Sequence, residues 1–377
     1  MKHVAILKSR IDAKGGLEKY TRRIASAFTE TGAEVSLLTT GVPQILLPSV
    51  SIHACPTPSI FPSSRIEQFD RFTKNWLQEH PADLIFGMDR NRMQTHIRAG
   101  NGVHAAYLES RRLAEGKWKR FLCSLNPMHR KILEIEKEAF EQPLLQKLFV
   151  NSHWVKEQIL SRYKTDPKKI EVIHNGVEWN EMESDFAGWE EVRKTLLQER
   201  GLDPDRFQFL FIGNGYLRKG LDPLLESLAR IQNRDLQLSI VGKEKRMGAY
   251  QANCARLGLN GTVKFFGPQN EIRPFYQMAD CLAIPSFYDP FANVTVEALA
   301  MGLHVVSSKW NGGCEVLTSG NGTIIENLLD PEAMDQALRN AFRFRKTKTS
   351  AESVRKSVET LDFSKQLKTL IRGCLVE

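Results

Sequence analysis

No stretch of this chain approaches the ~18 uninterrupted apolar residues that a membrane-spanning helix requires. Behind Met1, Lys2 and His3 only Val4 to Leu7 are apolar before Lys8, too short for the ~7 to 15-residue core of a secretory signal. The expectation is a cytoplasmic protein. Its six cysteines, at positions 55, 123, 254, 281, 314 and 374, form no CxxC pair and keep no histidine-adjacent spacing. That argues against both a zinc site and a disulfide framework. Two nucleotide signatures are missing as well. The glycines near the amino terminus do not read GxGxxG, and the Lys-Gly turn at 219 and 220 runs into Leu221 where a P-loop needs Ser or Thr. Nicotinamide or flavin dinucleotide binding and Walker-type ATP hydrolysis are therefore disfavoured.

What is present is an ordinary globular composition, 42% hydrophobic and 25% charged over 377 residues, which excludes disordered and fibrous classes. Single cores stop growing near ~250 to 300 residues, so two domains are expected. The net charge of +8 is concentrated between positions 98 and 131. There Arg98, Arg111, Arg112, Lys117, Lys119, Arg120, Arg130 and Lys131 outnumber Glu109 and Glu115. Such a window attracts phosphate-bearing partners, whether glycan, anionic lipid or nucleic acid. A solvated helix face has the same composition.

Short apolar runs alternate with stretches of helical periodicity along the whole chain. Val4 to Lys8, Glu34 to Thr40, Asp83 to Gly87, Leu148 to Asn151 and Ile170 to His174 read as strands. The pattern breaks after His174-Asn175-Gly176-Val177 and restarts with strands at 207–212, 236–241, 263–266, 281–284 and 304–306. This predicts an α/β protein of two doubly wound, Rossmann-like domains with mostly parallel sheets. The first spans 1–180, the second 187–350, and a terminal helix at 360–377 is expected to pack back on the first. Two such domains would face each other across a cleft at the carboxyl ends of their strands, hinged near residues 174–186.

Three motifs carry the chemistry. Gly15 and Gly16, between the first strand and first helix, let a backbone approach a phosphate or a sugar; a plain tight turn would use the same residues. Gly213-Asn214-Gly215-Tyr216-Leu217-Arg218-Lys219-Gly220 puts two cations at a helix start, which suits a leaving diphosphate. In Asp289-Pro290-Phe291-Ala292-Asn293-Val294-Thr295-Val296-Glu297, Pro290 is expected to open a helix with Asp289 at its mouth and Asn293 and Glu297 on one face. Those acceptors suit sugar and ribose hydroxyls. An N-cap Asp with a surface Glu remains the simpler reading of this stretch taken alone.

Taken in order, these motifs and His174-Asn175-Gly176-Val177 resemble the retaining nucleotide-sugar transferases of glycosyltransferase family 4, which have the GT-B fold. The 289–297 stretch resembles their EX7E motif. Glu79-His80-Pro81-Ala82-Asp83 and the Arg218-Lys219-Gly220 turn are similar to those of lipopolysaccharide core glucosyltransferases. The resemblance implies that Lys219, with Arg218, binds the donor diphosphate, Glu297 the ribose and Asp289 a hydroxyl of the transferred sugar. Backbone around Gly215 and amides of Phe291, Ala292, Asn293 and Val294 would hold donor phosphate and sugar. His104, in Gly100-Asn101-Gly102-Val103-His104, matches a position where family members place a histidine against the donor sugar; a structural turn histidine is the other reading. Asp289 departs from the usual Glu, and Asn214 from a frequent Arg.

The function expected is transfer of a hexose, glucose on a uridine carrier first, from a nucleotide diphosphate sugar to a glycan or glycolipid acceptor such as lipopolysaccharide core. No cofactor and no metal are expected, and no nucleic acid. Arg111, Arg112, Lys117, Trp118, Lys119 and Arg120 interleave cations with an aromatic ring, which suits peripheral binding to an anionic membrane at the cytoplasmic face of the inner membrane. A sugar-nucleotide epimerase of the same fold and a non-catalytic anionic-glycan binding protein stay as alternatives.

Overall fold

The computed structural model describes residues 2–9, 16–40, 49–56, 61–114, 126–231 and 235–375. They form two compact units, Met1–Ile173 with Gln366–Glu377 and His174–Lys365. Gly15, Lys117, Trp118, Lys119 and Arg120 lie outside the described residues, as does the side chain of Arg112.

The first unit is built on seven strands: β1 (His3–Leu7), β2 (Glu34–Thr39), β3 (Val50–Ala54), β4 (Leu84–Gly87), β5 (His96–Arg98), β6 (Lys147–Val150) and β7 (Ile170–Val172), in the order β3-β2-β1-β4-β5-β6-β7. Every neighbouring pair is parallel. β1 and β4 are buried apolar runs because helices cover both faces of a parallel sheet. Connections diverge from β1, with β2 on one side and β4 on the other, so the carboxyl ends of β1 and β4 mark the crevice of a doubly wound sheet.

The second unit has six parallel strands, β8 (Phe207–Ile212), β9 (Leu236–Val241), β10 (Val263–Gly267), β11 (Cys281–Ile284), β12 (His304–Ser308) and β13 (Gly322–Ile325), in the order β10-β9-β8-β11-β12-β13. All six residues of β8 and all six of β9 are buried. Its core joins these strands to Leu221, Leu224, Leu225 and Leu228 of the helix Leu221–Ile231, which carries its apolar residues on one stripe.

The boundary falls at Ile173, not in a linker after 180. Residues 174–186 belong to the second unit because they are bonded into it. Val177 pairs with Asp362, Trp179 Nε1 donates to the Arg355 carbonyl at 3.3 Å, and Arg355 in turn reaches the Trp179 carbonyl and Glu183 at 2.7 Å each. The second unit also runs past 350, through the helix Lys348–Lys356 whose Thr347 and Ser350 cap each other. The final helix, Phe363–Leu375, gives Leu370, Ile371 and Cys374 to the core of the first unit beside Val4, Ile6 and Phe149.

Candidate functional site

The site is built at the carboxyl ends of β8 and β11. Beyond β8 the chain turns at Gly215 and Gly220, both with positive φ (72° and 78°), before the helix Leu221–Ile231. The second turn admits no side chain: a Cβ on Gly220 would lie 1.8 Å from the Pro285 carbonyl oxygen. This close approach sets the Arg218-Lys219 pair against the loop that follows β11, and Phe287 N–H donates to the Arg218 carbonyl at 2.8 Å. Gly220→Ala is expected to cost at least ~2 kcal/mol, read as a fall in Tm.

Asp289 is 7% exposed and lies between the two cations. Lys219 Nζ donates to its Oδ2 at 2.5 Å, and an Arg218 guanidinium nitrogen to the same oxygen at 3.0 Å and to the Tyr288 carbonyl at 2.8 Å. Burial pushes the Asp289 carboxyl up, but the charges of Lys219 and Arg218 outweigh it and hold the group below its ordinary value. The two motifs, seventy residues apart in sequence, therefore meet.

The helix expected from Pro290 begins at Asn293 and ends at Ala300. Residues 289–292 stay outside the helix: Asp289 forms a parallel bridge with Asn311 and Ala292 is extended. Asp289 N–H donates to the Trp310 carbonyl, the Asp289 carbonyl accepts from Gly312 N–H, and Ala292 N–H is taken by Asn311 Oδ1 at 3.0 Å. Bonds to a neighbouring segment thus outcompete the helix start that Pro290 favours. Asn311 is fully buried; its Oδ1 also accepts from Gly313 N–H, and its Nδ2 donates to Ser307 and Thr295. No side chain caps the helix Asn293–Ala300, so the amides of its first turn present the positive end of the helix. Phe291 and Ala292 are buried, Asn293 is exposed and Val294 is half-buried. Asn175 Nδ2 donates to Asn293 Oδ1 at 2.7 Å and to the Phe291 carbonyl at 3.4 Å.

One helical turn on, Glu297 accepts at Oε2 from the phenol of Tyr276 at 2.7 Å. Burial raises the Glu297 carboxyl above its ordinary value, against the pull of this hydrogen bond. The charges of Arg273 and Lys219 also act on Glu297 and pull its carboxyl down. Asn214, in place of an arginine, is used differently from a phosphate ligand: its Oδ1 accepts from Lys243 N–H at 2.7 Å and fixes the crossing of Gly213 and Gly242.

His104 belongs to the first unit, at the start of the helix His104–Ala114. Its amide donates to the buried carboxylate of Glu136 at 2.7 Å, and its Nε2 lies 3.0 Å from His129 Nδ1. Burial, with the charge of Arg90 and the neighbouring His129 and Arg111, pushes its imidazole down to about 3. It is a neutral histidine engaged with His129. Gly16 opens the first helix. Arg111 stands 5.8 Å from the Tyr107 ring centre. Sequence reasoning missed Tyr276, Asn311 and Asn175. Asn175 stood inside a motif already noted, whereas Tyr276 and Asn311 gave no spacing signal.

The family described as "Glycosyltransferase Family 4" matches residues 14–180, and "Glycosyl transferases group 1" matches residues 192–356. The chain is 25% identical over 353 residues to lipopolysaccharide glucosyltransferase WaaG of Escherichia coli (strain K12), covering 92% of each protein. The crystal structure of a WaaG involved in lipopolysaccharide biosynthesis superposes with a TM-score of 0.81 at 23% identity, over 99% of this chain and 100% of that one. HepE of Anabaena in complex with UDP-glucose superposes with a TM-score of 0.69 at 17% identity, over 99% of each.

Proposed function

Because the chain belongs to the family 4 glycosyltransferases and has their GT-B fold, we propose that it moves a hexose from a nucleotide diphosphate sugar to a glycan acceptor with retention at the anomeric carbon. Glucose on UDP is the donor proposed and a lipopolysaccharide-core or other lipid-linked glycan the acceptor. Likeness to an enzyme named as a lipopolysaccharide glucosyltransferase, and to a fold that holds UDP-glucose in another protein, supports this choice. The observation that carries the reading is the convergence of Lys219 and Arg218 on Asp289, at 2.5 and 3.0 Å, with Glu297 within reach of the same lysine charge.

In this reaction the bond from the anomeric carbon to the diphosphate breaks and one to an acceptor oxygen forms on the same face. The leaving phosphate oxygen takes the acceptor proton, so the protein need not supply a strong base. Its task is to stabilise charge growing on the diphosphate, by Lys219, Arg218 and the open first turn at Asn293, in a site whose dipoles are already oriented. Asp289 takes a sugar hydroxyl and Glu297 the ribose. The protein's own cations supply the counter-charge, and transfer is expected to persist in excess EDTA. A strict need for added Mg²⁺ or Mn²⁺ would overturn that part of the reading. The decisive experiment incubates the enzyme with UDP-glucose, with and without truncated lipopolysaccharide. Acceptor-dependent release of UDP supports transfer, and acceptor-free conversion of the donor to an isomer would sink it.

Among the described residues no helix is long and apolar enough to cross a membrane. The helix His104–Ala114 leads toward the basic segment and carries Leu113 half exposed. We place the enzyme peripherally on the cytoplasmic face of an anionic membrane through this segment. Reversing the charges of Arg111, Arg112, Lys117 and Lys119 should abolish sedimentation with phosphatidylglycerol vesicles at low salt, at about 1 kcal/mol per charge. Unchanged sedimentation would remove the membrane from the proposal.

A further inference from the structure

Glu297 is held from behind. Tyr276, 1% exposed on the helix Arg273–Met278, directs its hydroxyl at Glu297 Oε2. That helix is anchored by three hydrogen bonds. Arg273 donates to Asp185 Oδ2 at 2.8 Å, Gln277 Nε2 donates to the Asp185 carbonyl at 2.8 Å, and the buried Lys346 donates to the Tyr276 carbonyl at 3.4 Å. The Lys346 ammonium also lies 4.2 Å from the centre of the Trp189 ring. Burial keeps the phenol well above its ordinary ionisation range, so Tyr276 acts as a donor. A hydrogen bond to one oxygen restricts rotation of the carboxylate and so biases the direction of the other.

We propose that Tyr276 is a positioning residue for the donor nucleotide: by pinning Glu297 Oε2 it aims the second carboxylate oxygen at a ribose hydroxyl, and so sets discrimination between ribo- and deoxyribonucleotides. The inference rests on the reading of Glu297 as the ribose acceptor. An unaimed carboxylate still binds, but it no longer rewards the hydroxyl over hydrogen, because the directed bond is what discriminates. The groups facing Glu297 are the Tyr276 hydroxyl, Glu178, Arg273 and Lys219. Glu178 raises its pKa while the other three lower it. Removing the phenol hydroxyl therefore moves the ionisation of Glu297 further up, and nucleotide binding is lost at a higher pH as the solution is acidified.

The test measures binding of UDP and GDP, and of the 2′- and 3′-deoxy forms of each, to wild type, Tyr276→Phe, Glu297→Gln, Glu297→Asp and the Tyr276→Phe/Glu297→Gln double variant, across pH. Tyr276→Phe should weaken the better ribonucleotide about tenfold, the scale of one lost charge-assisted hydrogen bond, and barely alter its deoxy form. Its acid limb should shift to higher pH. The double variant should bind no worse than Glu297→Gln, and Glu297→Asp, withdrawn from the phenol by one methylene, should lose the preference too. If Tyr276→Phe keeps the full ribose preference and the wild-type pH profile while Glu297→Gln loses both, the phenol is only structural. If Glu297→Gln keeps the preference, or no ribonucleotide outbinds its deoxy form in wild type, the ribose reading itself fails.

Discussion

Lys219→Ala is expected to lower kcat for hexose transfer at least a hundredfold, about 3 kcal/mol of transition-state stabilisation, while the donor KM changes far less. The split follows from where the charge appears. In the bound donor the diphosphate charge is shared with the anomeric oxygen in a bond, and in the transition state that oxygen leaves and carries more of it. A buried ammonium next to the leaving oxygen is worth most at that moment, and a group that matters most in the transition state shows in kcat. Arg218, a third exposed along its side chain, cannot replace it, because water screens a cation at the rim more than one that is 7% exposed. The control is the double variant Lys219→Ala/Asp289→Asn. Removing both charges relieves the buried Asp289 of its missing partner, so part of the lost Tm should return, whereas transfer should not. A Lys219→Ala enzyme with near-normal kcat would place the leaving group elsewhere.

The fold was legible because parallel sheets covered on both faces need apolar runs, and β1, β2, β4, β6, β8, β9 and β11 are such runs. β5, His96-Ile97-Arg98, was not. Its flanking His and Arg interrupt the apolar pattern, yet all three positions are buried, with Arg98 donating to the carbonyls of Val150 and Ile173 and His96 pushed down to about 4 by burial. Polar groups satisfied by backbone carry no periodicity, so pattern reading passes over them. The same cause hid Asn311, whose Oδ1 takes the Ala292 N–H just where Pro290 promised a helix, while its other side-chain bonds go to Gly313, Ser307 and Thr295. Tyr276 was hidden by burial of a different sort, since a tyrosine on an apolar helix face looks like core until its hydroxyl is located. Lys219 and Asp289 were legible because each lies within a short motif, and their 2.5 Å contact needed only that the two motifs follow the carboxyl ends of neighbouring strands, β8 and β11. His104 shows the opposite limit: its place in a motif was clear, but its partner, His129, lies on another helix.

Asp289→Asn is expected to act in opposite directions on two observables. Wild-type Asp289 places a negative charge 2.5 Å from Lys219 and 3.0 Å from Arg218, at the position from which those cations must meet the donor diphosphate. Neutralising it leaves two cations with less compensation, one of them buried, and breaking a buried pair costs on the order of 3 kcal/mol. The ligand-free variant should therefore melt lower. The uncompensated field should then bind UDP about tenfold tighter than wild type, since a unit charge a few ångströms from the diphosphate is worth more than 1 kcal/mol even at an effective dielectric constant near 20, and UDP should raise the variant's Tm by more. Transfer should nevertheless fall, because the asparagine is a weaker acceptor for the sugar hydroxyl and the cations are no longer drawn to one oxygen. The pH dependence has a definite sign. The Asp289 pKa is depressed in the folded protein, so its stabilisation is present above the unfolded value and lost as pH falls through the folded value. That part of the acid limb should be missing from the variant. Equal UDP affinity in the two proteins would mean that Asp289 is not felt at the diphosphate, and the site would have to be assembled from other residues.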